Sequence, residues 1–170
     1  MTKLVCDNRM SHSDLTIEQV TAPTPELRDL IGELDAVLNA AYEPHQRHGL
    51  ALAQLFEPHV RFFIARLDGD AVACGGVALF DGYAEVKRMY TRPAVRGRGV
   101  AKAVLRRLEE EARAASKPML RLETGNYQAE AVGLYRRAGF ISCGPFGHYA
   151  QMPARDIETS LFFEKPLQAG

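Results

Sequence analysis

Apolar residues along this chain repeat with two periods, and the switches between them lay out the elements. From Asp14 to Thr21 (DLTIEQVT), Leu15, Ile17 and Val20 are set among polar neighbours, which predicts a strand. Pro23 and Pro25 punctuate it, and Thr24 is placed to cap a helix starting at Pro25 or Glu26. Leu27, Leu30, Ile31, Leu34, Val37, Leu38 and Ala41 then recur at three- and four-residue steps, and the helix ends near Tyr42, ahead of Pro44. Leu50 to Phe56 reads as a second short helix. Val60 to Leu67 (VRFFIARL), Ala71 to Phe80 (AVACGGVALF) and Tyr83 to Thr91 (YAEVKRMYT) read as three strands. Asp68-Gly69 and Asp81-Gly82 stand at their junctions, and Asp-Gly is a strong hairpin signal. Gly75-Gly76 inside the middle strand predicts a bulge or a close approach. Alternation along the third strand puts Glu85, Lys87, Met89 and Thr91 on one face.

Pro93 stops that strand, and the chain continues through Arg96-Gly97-Arg98-Gly99 into a new helical stripe of Ala101, Val104, Leu105, Leu108 and Ala112. A strand at Met119 to Glu123 and a helix through Leu134-Tyr135 follow. A meander of antiparallel strands leading into strand–helix–strand–helix–strand predicts an α/β fold, a mixed sheet with helices on its faces.

The glycine-rich turn carries candidate chemistry. A helix start leaves backbone N–H groups unpaired at the positive end of its dipole, where anions are favoured. Gly97 and Gly99 let a ligand reach the backbone, and Arg96 and Arg98 can pair with phosphate oxygens. Two readings stay open locally: a pyrophosphate cradle, or a surface turn with two solvated arginines. A P-loop is excluded, because no Gly-x-x-x-x-Gly-Lys-Ser/Thr run exists. The dinucleotide fingerprint is excluded too, since Lys102 stands where its third glycine or alanine belongs.

Arg96-x-x-Gly99-x-Ala101, on a strand–loop–helix, resembles the acyl-CoA signature of the GNAT family of N-acetyltransferases. Downstream, Ala131-Val132-Gly133-Leu134-Tyr135-Arg136-Arg137-Ala138-Gly139-Phe140 is similar to the family's second signature, Leu-Tyr followed after three residues by Gly-Phe. The resemblance runs from about residue 14 to 167 and implies the acyl-CoA N-acyltransferase fold, whose fourth and fifth strands splay around pantetheine. It implies acetyl-CoA as co-substrate, with phosphates on Arg96, Gly97, Arg98, Gly99, Val100 and Ala101, and Lys102 adjoining. Pantetheine is expected along the backbone of Met89, Tyr90 and Thr91, where an N–H at Met89 or Tyr90 serves the oxyanion. Tyr135 matches the family tyrosine near the sulfur, a candidate general acid, and Glu85 stands where several members carry a catalytic base. Gln128 replaces an asparagine frequent in the family, one methylene longer.

Glu123-Thr124-Gly125 and the tail from Gly144 to Leu167 resemble a bacterial subgroup of small-molecule and amino-acid acetyltransferases. The family's acceptor pocket is built by the first two helices and the segment between the last strands. His45, Arg47, His48, Phe146, His148 and Tyr149 are therefore candidate lining residues, with Lys87 on the face of Glu85. The activity implied is acetyl transfer to the primary amine of a small molecule, an amino acid or related metabolite, by direct attack in a ternary complex. The alternatives are acetylation of a protein lysine or N-terminus, a non-catalytic acyl-CoA sensor, and a nucleotide-binding module.

Composition changes this picture little. With 170 residues, the expectation is one domain over 14–170 behind a loose polar tail at 1–13. The formal net charge is zero, so no global field recruits nucleic acid, and no apolar run is long enough to span a bilayer. Met1 to Ser13 lacks the apolar core of a signal peptide, and Cys6, Cys74 and Cys143 are odd in number. Both points fit unpaired thiols in a cytoplasmic protein. His45 and His48 could share a metal, but no third ligand is evident and no metal is expected. Dimers are common in the family, so a homodimer is admissible.

Overall fold

The computed structural model describes residues 14–168, and the tail expected at 1–13 lies outside them. The meander forms where alternation placed it, as β2 (Val60–Leu67), β3 (Asp70–Phe80) and β4 (Tyr83–Thr91). Gly69 and Gly82 turn its two hairpins at φ of 91° and 78°, conformations that a side chain would disfavour. β1 (Leu15–Val20) pairs antiparallel with β2, Leu15 opposite Leu67.

α1 (Pro25–Ala41) starts as expected, with Thr24 Oγ1 accepting a 3.2 Å hydrogen bond from Leu27 N–H. It buries Leu27, Leu30, Ile31 and Leu34, but leaves Val37 exposed. Leu50 to Phe56 is not an α-helix. Only Leu52–Phe56 is regular, as a 3-10 helix with Leu55 as its one buried residue. Five residues close too few i→i+4 bonds to sustain an α-helix, and the Gln54 side chain accepting from Ala51 N–H at 2.7 Å caps the tighter turn instead.

Beyond β4 come α2 (Val100–Ala114), β5 (Met119–Gly125), α3 (Ala129–Arg137), β6 (Ile141–Cys143), the single turn α4 (Ala154–Ile157) and β7 (Ser160–Pro166). The seven strands lie in the order β1-β2-β3-β4-β5-β7-β6. β7 inserts antiparallel between β5 and β6, an arrangement that chain order alone does not dictate. One sheet face buries Val86, Leu120, Leu122 and Phe163 against Val104, Leu105 and Leu108 of α2. The other buries Phe62, Ile64 and Cys74 against Leu27, Leu30 and Ile31 of α1. Truncating a fully buried leucine such as Leu108 to alanine costs about 2–5 kcal/mol in cores of this kind. Burial pushes the Cys74 thiol up to about 12, which leaves it unreactive.

Two irregularities shape the centre of the sheet. First, β3 and β4 slip register between Cys74 and Gly76, so that Arg88 and Met89 together face Gly75. Arg88 takes φ of 55°, the left-handed bulge conformation. Both glycines are also close-packed: a Cβ on Gly75 would press on Met89 and Val104, and one on Gly76 would strike the Phe62 ring. The bulge corrects the alternation expected for β4. Glu85 and Lys87 share a face, but Met89 packs into the α2-side core while Tyr90 packs into the α1-side core. Second, β4 and β5 pair in parallel over only three positions, Ala84–Leu120, Glu85–Arg121 and Val86–Leu122. Both strands run on unpaired with each other, to Thr91 and Gly125. The splay expected from the resemblance is present, and it opens at Lys87 and Glu123.

Candidate active site

Where the two strands part, a cavity of about 120 Å³ enters the molecule. Glu85 and Lys87 reach it from β4 because residues two apart on a strand share a face. Glu85 is 1% exposed and Lys87 7%. Such burial of two charges requires partners, and they find one another at 2.7 Å between Lys87 Nζ and Glu85 Oε1. Tyr149 completes the group: its hydroxyl donates to Glu85 Oε1 at 2.7 Å and accepts from Lys87 Nζ at 2.9 Å. Burial, and after it the Glu85 charge, push the Tyr149 hydroxyl far above its ordinary range, so it stays protonated. Glu85 Oε2 is buried with no hydrogen-bond partner.

Glu123 faces this group from β5, on the side of the strand opposite the core residues Leu120 and Leu122. Ser160 donates to its Oε1 at 2.7 Å. Burial holds its carboxyl above the ordinary value, against the Ser160 bond and the charges of His48 and Lys87. A carboxylate of raised basicity is better matched to an amine proton. Glu123 entered the sequence reading only within the Glu123-Thr124-Gly125 resemblance, with no role in the site. The available signal was its alternation with Leu120 and Leu122, which puts it on the polar side of β5 at the end of the strand.

Tyr135 lies on α3 and lines the same cavity, 6% exposed and edge-on to Phe140 at 5.8 Å between ring centres. Burial raises its hydroxyl well above the ordinary tyrosine value, so it holds its proton. Met89, Gln128 and His48 also line the cavity. His48 Nε2 is 2.8 Å from the Asp156 carbonyl oxygen, which anchors the ring.

The glycine-rich loop follows β4 directly. Gly97 and Gly99 hold φ of 77° and 81°, and space is open within 4 Å of where either Cβ would sit. The first i→i−4 bond of α2 runs from Ala103 N–H to Gly99, so the amides of Val100, Ala101 and Lys102 precede the helical ladder. Arg96 Nε donates to the Thr91 carbonyl at 3.1 Å and folds the loop back on β4. An open, glycine-lined helix start beside arginines fits a pyrophosphate, and the gap between β4 and β5 fits a slender amide-bearing arm.

Three expected lining residues stand elsewhere. His45 is exposed on a 3-10 helix, Pro44–Gln46, outside the cavity lining. Phe146 is buried behind Tyr149, at 5.3 Å between ring centres, and supports that ring from the side away from the cavity lining. His148 stands mostly in solvent and packs on the Tyr149 ring at 4.0 Å, where partial desolvation and then Lys87 lower its basicity. Among the described residues no group of three or more His, Cys, Asp or Glu could hold a metal ion. No helix there is long and apolar enough to cross a membrane.

Residues 27–140 match the profile of the acetyltransferase (GNAT) family. The chain is 43% identical over 156 residues to the IAA acetyltransferase of Azospirillum brasilense, covering 91% of this chain and 99% of that one. A structure described as an acyl-CoA N-acyltransferase from Klebsiella pneumoniae is 35% identical, with a TM-score of 0.76 over 91% of this chain and 98% of its own. A GNAT acetyltransferase from Elizabethkingia anophelis, solved with acetyl-CoA bound, shares the fold at 18% identity and a TM-score of 0.65, over 90% and 98% of the two chains. Fold, loop and sequence agree, and the chain belongs to the GNAT family of acetyltransferases.

Proposed function

We propose that this acetyltransferase uses acetyl-CoA and transfers the acetyl group to the primary amine of a small molecule by direct attack in a ternary complex. The observation carrying this reading is the buried Glu85–Lys87–Tyr149 group at the mouth of the strand gap, with the phosphate-compatible loop at the end of the same strand. A thioester supplies the activated acyl carbon. The nitrogen must arrive neutral, so a side chain must take its proton. Glu85 is assigned that role: its Oε1 is fixed by Lys87 and Tyr149, and its Oε2 is left without a partner. A backbone N–H at Met89 or Tyr90, displaced by the bulge, is assigned to the carbonyl oxygen.

Tyr135 is assigned to the sulfur. Because its hydroxyl is held protonated, it stabilises a leaving thiolate as a hydrogen-bond donor, and full proton release from it is uphill. Arg96, Gly97, Arg98, Gly99, Val100, Ala101 and Lys102 are assigned to the phosphates, and Met89, Tyr90, Thr91 and Gln128 to the pantetheine arm. Lys87, His48 and Tyr149 face the acceptor. The name of the Azospirillum relative is in keeping with a small acceptor.

Thiol release from acetyl-CoA against free amino acids, arylalkylamines, polyamines and short peptides tests the reading. Turnover on one small-amine class, lowered by Glu85→Gln and by Tyr135→Phe, is the expected result. Turnover on peptides alone would overturn the small-molecule acceptor, and CoA binding without thiol release would leave a sensor.

A further inference from the structure

The cavity presents a guanidinium nitrogen and a carboxylate oxygen that are both buried without hydrogen-bond partners. Of its cations, Lys87 is paired with Glu85, and Arg88 is paired with Asp35 of α1 at 2.6 Å. Arg47 lines the same cavity, but its guanidinium has no hydrogen bond or ion pair among the described residues, and its Nε is buried. On the anionic side, Glu85 Oε2 is likewise buried and unpartnered, and the nearest partner of Glu123 is a neutral hydroxyl. Buried polar atoms without partners are costly, and a ligand that satisfies them recovers that cost. Of the acids near this end of the cavity, Asp156 Oδ1 is 3.3 Å from Arg155 Nε but is itself buried without a hydrogen bond, and Glu158 accepts from Gln46. Neither belongs to the cavity lining.

We infer that the acceptor is a zwitterion, a free aminocarboxylate whose carboxylate is held by Arg47 while its ammonium lies against Glu85. Guanidinium matches a carboxylate with two parallel donors, so Arg47 fixes the carboxylate and thereby aims the nitrogen. Leu34, Leu38 and Tyr42 wall the same space and favour an apolar side chain on that amino acid. The chemistry balances: the ammonium gives one proton to Glu85, a second leaves as the N–C bond forms, and the C–S bond breaks to a thiolate that takes one proton. The inference rests on the small-amine reading proposed above and narrows it to one acceptor class.

Leucine, methionine and phenylalanine, each beside its primary amide and its decarboxylated amine, separate the possibilities in a thiol-release assay. The acids are expected to exceed their amides in kcat/KM by on the order of 10- to 100-fold, the usual range for a hydrogen bond to a charged group. Arg47→Met is expected to erase most of that preference, and Arg47→Lys, which keeps the charge, to retain part of it. Melting temperatures of both variants show whether the fold survives. Equal use of acids and amides by the unaltered enzyme overturns the inference, and so does a preference that persists in folded Arg47→Met. Thiol release from amines or amides alone sinks the carboxylate inference and leaves the small-amine reading standing. Release from no small amine removes both.

Discussion

Tyr149 donates a hydrogen bond from its hydroxyl to Glu85 across 64 positions of sequence, at 2.7 Å between two buried side chains. The same oxygen accepts from Lys87, so one hydroxyl fixes both charges of the pair. Tyr149→Phe removes a donor from a buried carboxylate and an acceptor from a buried ammonium. We expect a loss of about 1–3 kcal/mol in stability, the range for leaving buried polar groups unsatisfied, read by urea unfolding. The turnover rate should fall as well, because the carboxylate assigned to the amine proton has lost the hydrogen bond that fixes it. An unchanged kcat in the folded variant would make the tyrosine purely structural.

Glu123 predicts a pH dependence of folding. Burial raises its carboxyl above the ordinary value, with the Ser160 bond opposing. Between those two values the folded chain keeps a proton that the unfolded chain has lost, so this residue's contribution to stability declines as pH rises through the interval. Glu123→Gln removes the decline. The melting temperature of the variant should gain on the parent from about pH 4 upward, where unfolded carboxyls ionise. A constant difference across pH 4 to 8 would contradict the assignment.

Glycines at two helices predict opposite signs. Gly99 starts α2 at φ of 81°, where any Cβ is strained, so Gly99→Ala should destabilise by about 1–2 kcal/mol and weaken CoA binding measured by calorimetry. Gly32 lies within α1 in open space, so Gly32→Ala should raise stability by about 0.5–1 kcal/mol.

Gly125 predicts a wall movement. A Cβ there would collide with the ring and hydroxyl of Tyr42, which accepts the Tyr127 N–H bond at 2.8 Å and lines the cavity. Gly125→Ala should therefore raise the acceptor KM more than tenfold, on the scale of a single misplaced contact. Tyr42→Phe, which keeps the ring and loses only the bond, should cost about 1 kcal/mol in stability.

The sequence displayed what depends on short-range pattern. β2 and β4 run between the residues alternation assigned, and both Asp-Gly turns form. The loop residues were legible because Gly97 and Gly99 are required by their own backbone conformation. What was hidden depends on contacts distant in sequence. Tyr149 meets Glu85 only because a 3-10 helix, Gly147–Gln151, is pinned against Phe162. The bulge sits on β4, while its visible sign, Gly75-Gly76, is on the facing strand, so simple alternation misplaced Met89. Arg47 was legible in sequence as a candidate lining residue and nothing more. Its interest lies in the absence of a partner, which only the folded arrangement displays.

The three-residue pairing of β4 with β5 has a consequence for the life of the protein. Past Val86 and Leu122 the central strands lack each other's hydrogen bonds, so the fold carries an unfinished seam. A bound pantetheine arm would act as the missing stitch. Stability then becomes a function of co-substrate supply, rising by about 2.7 kcal/mol when acetyl-CoA stands a hundredfold above its dissociation constant. The amount of folded enzyme would follow the acyl-CoA pool before any rate law is considered.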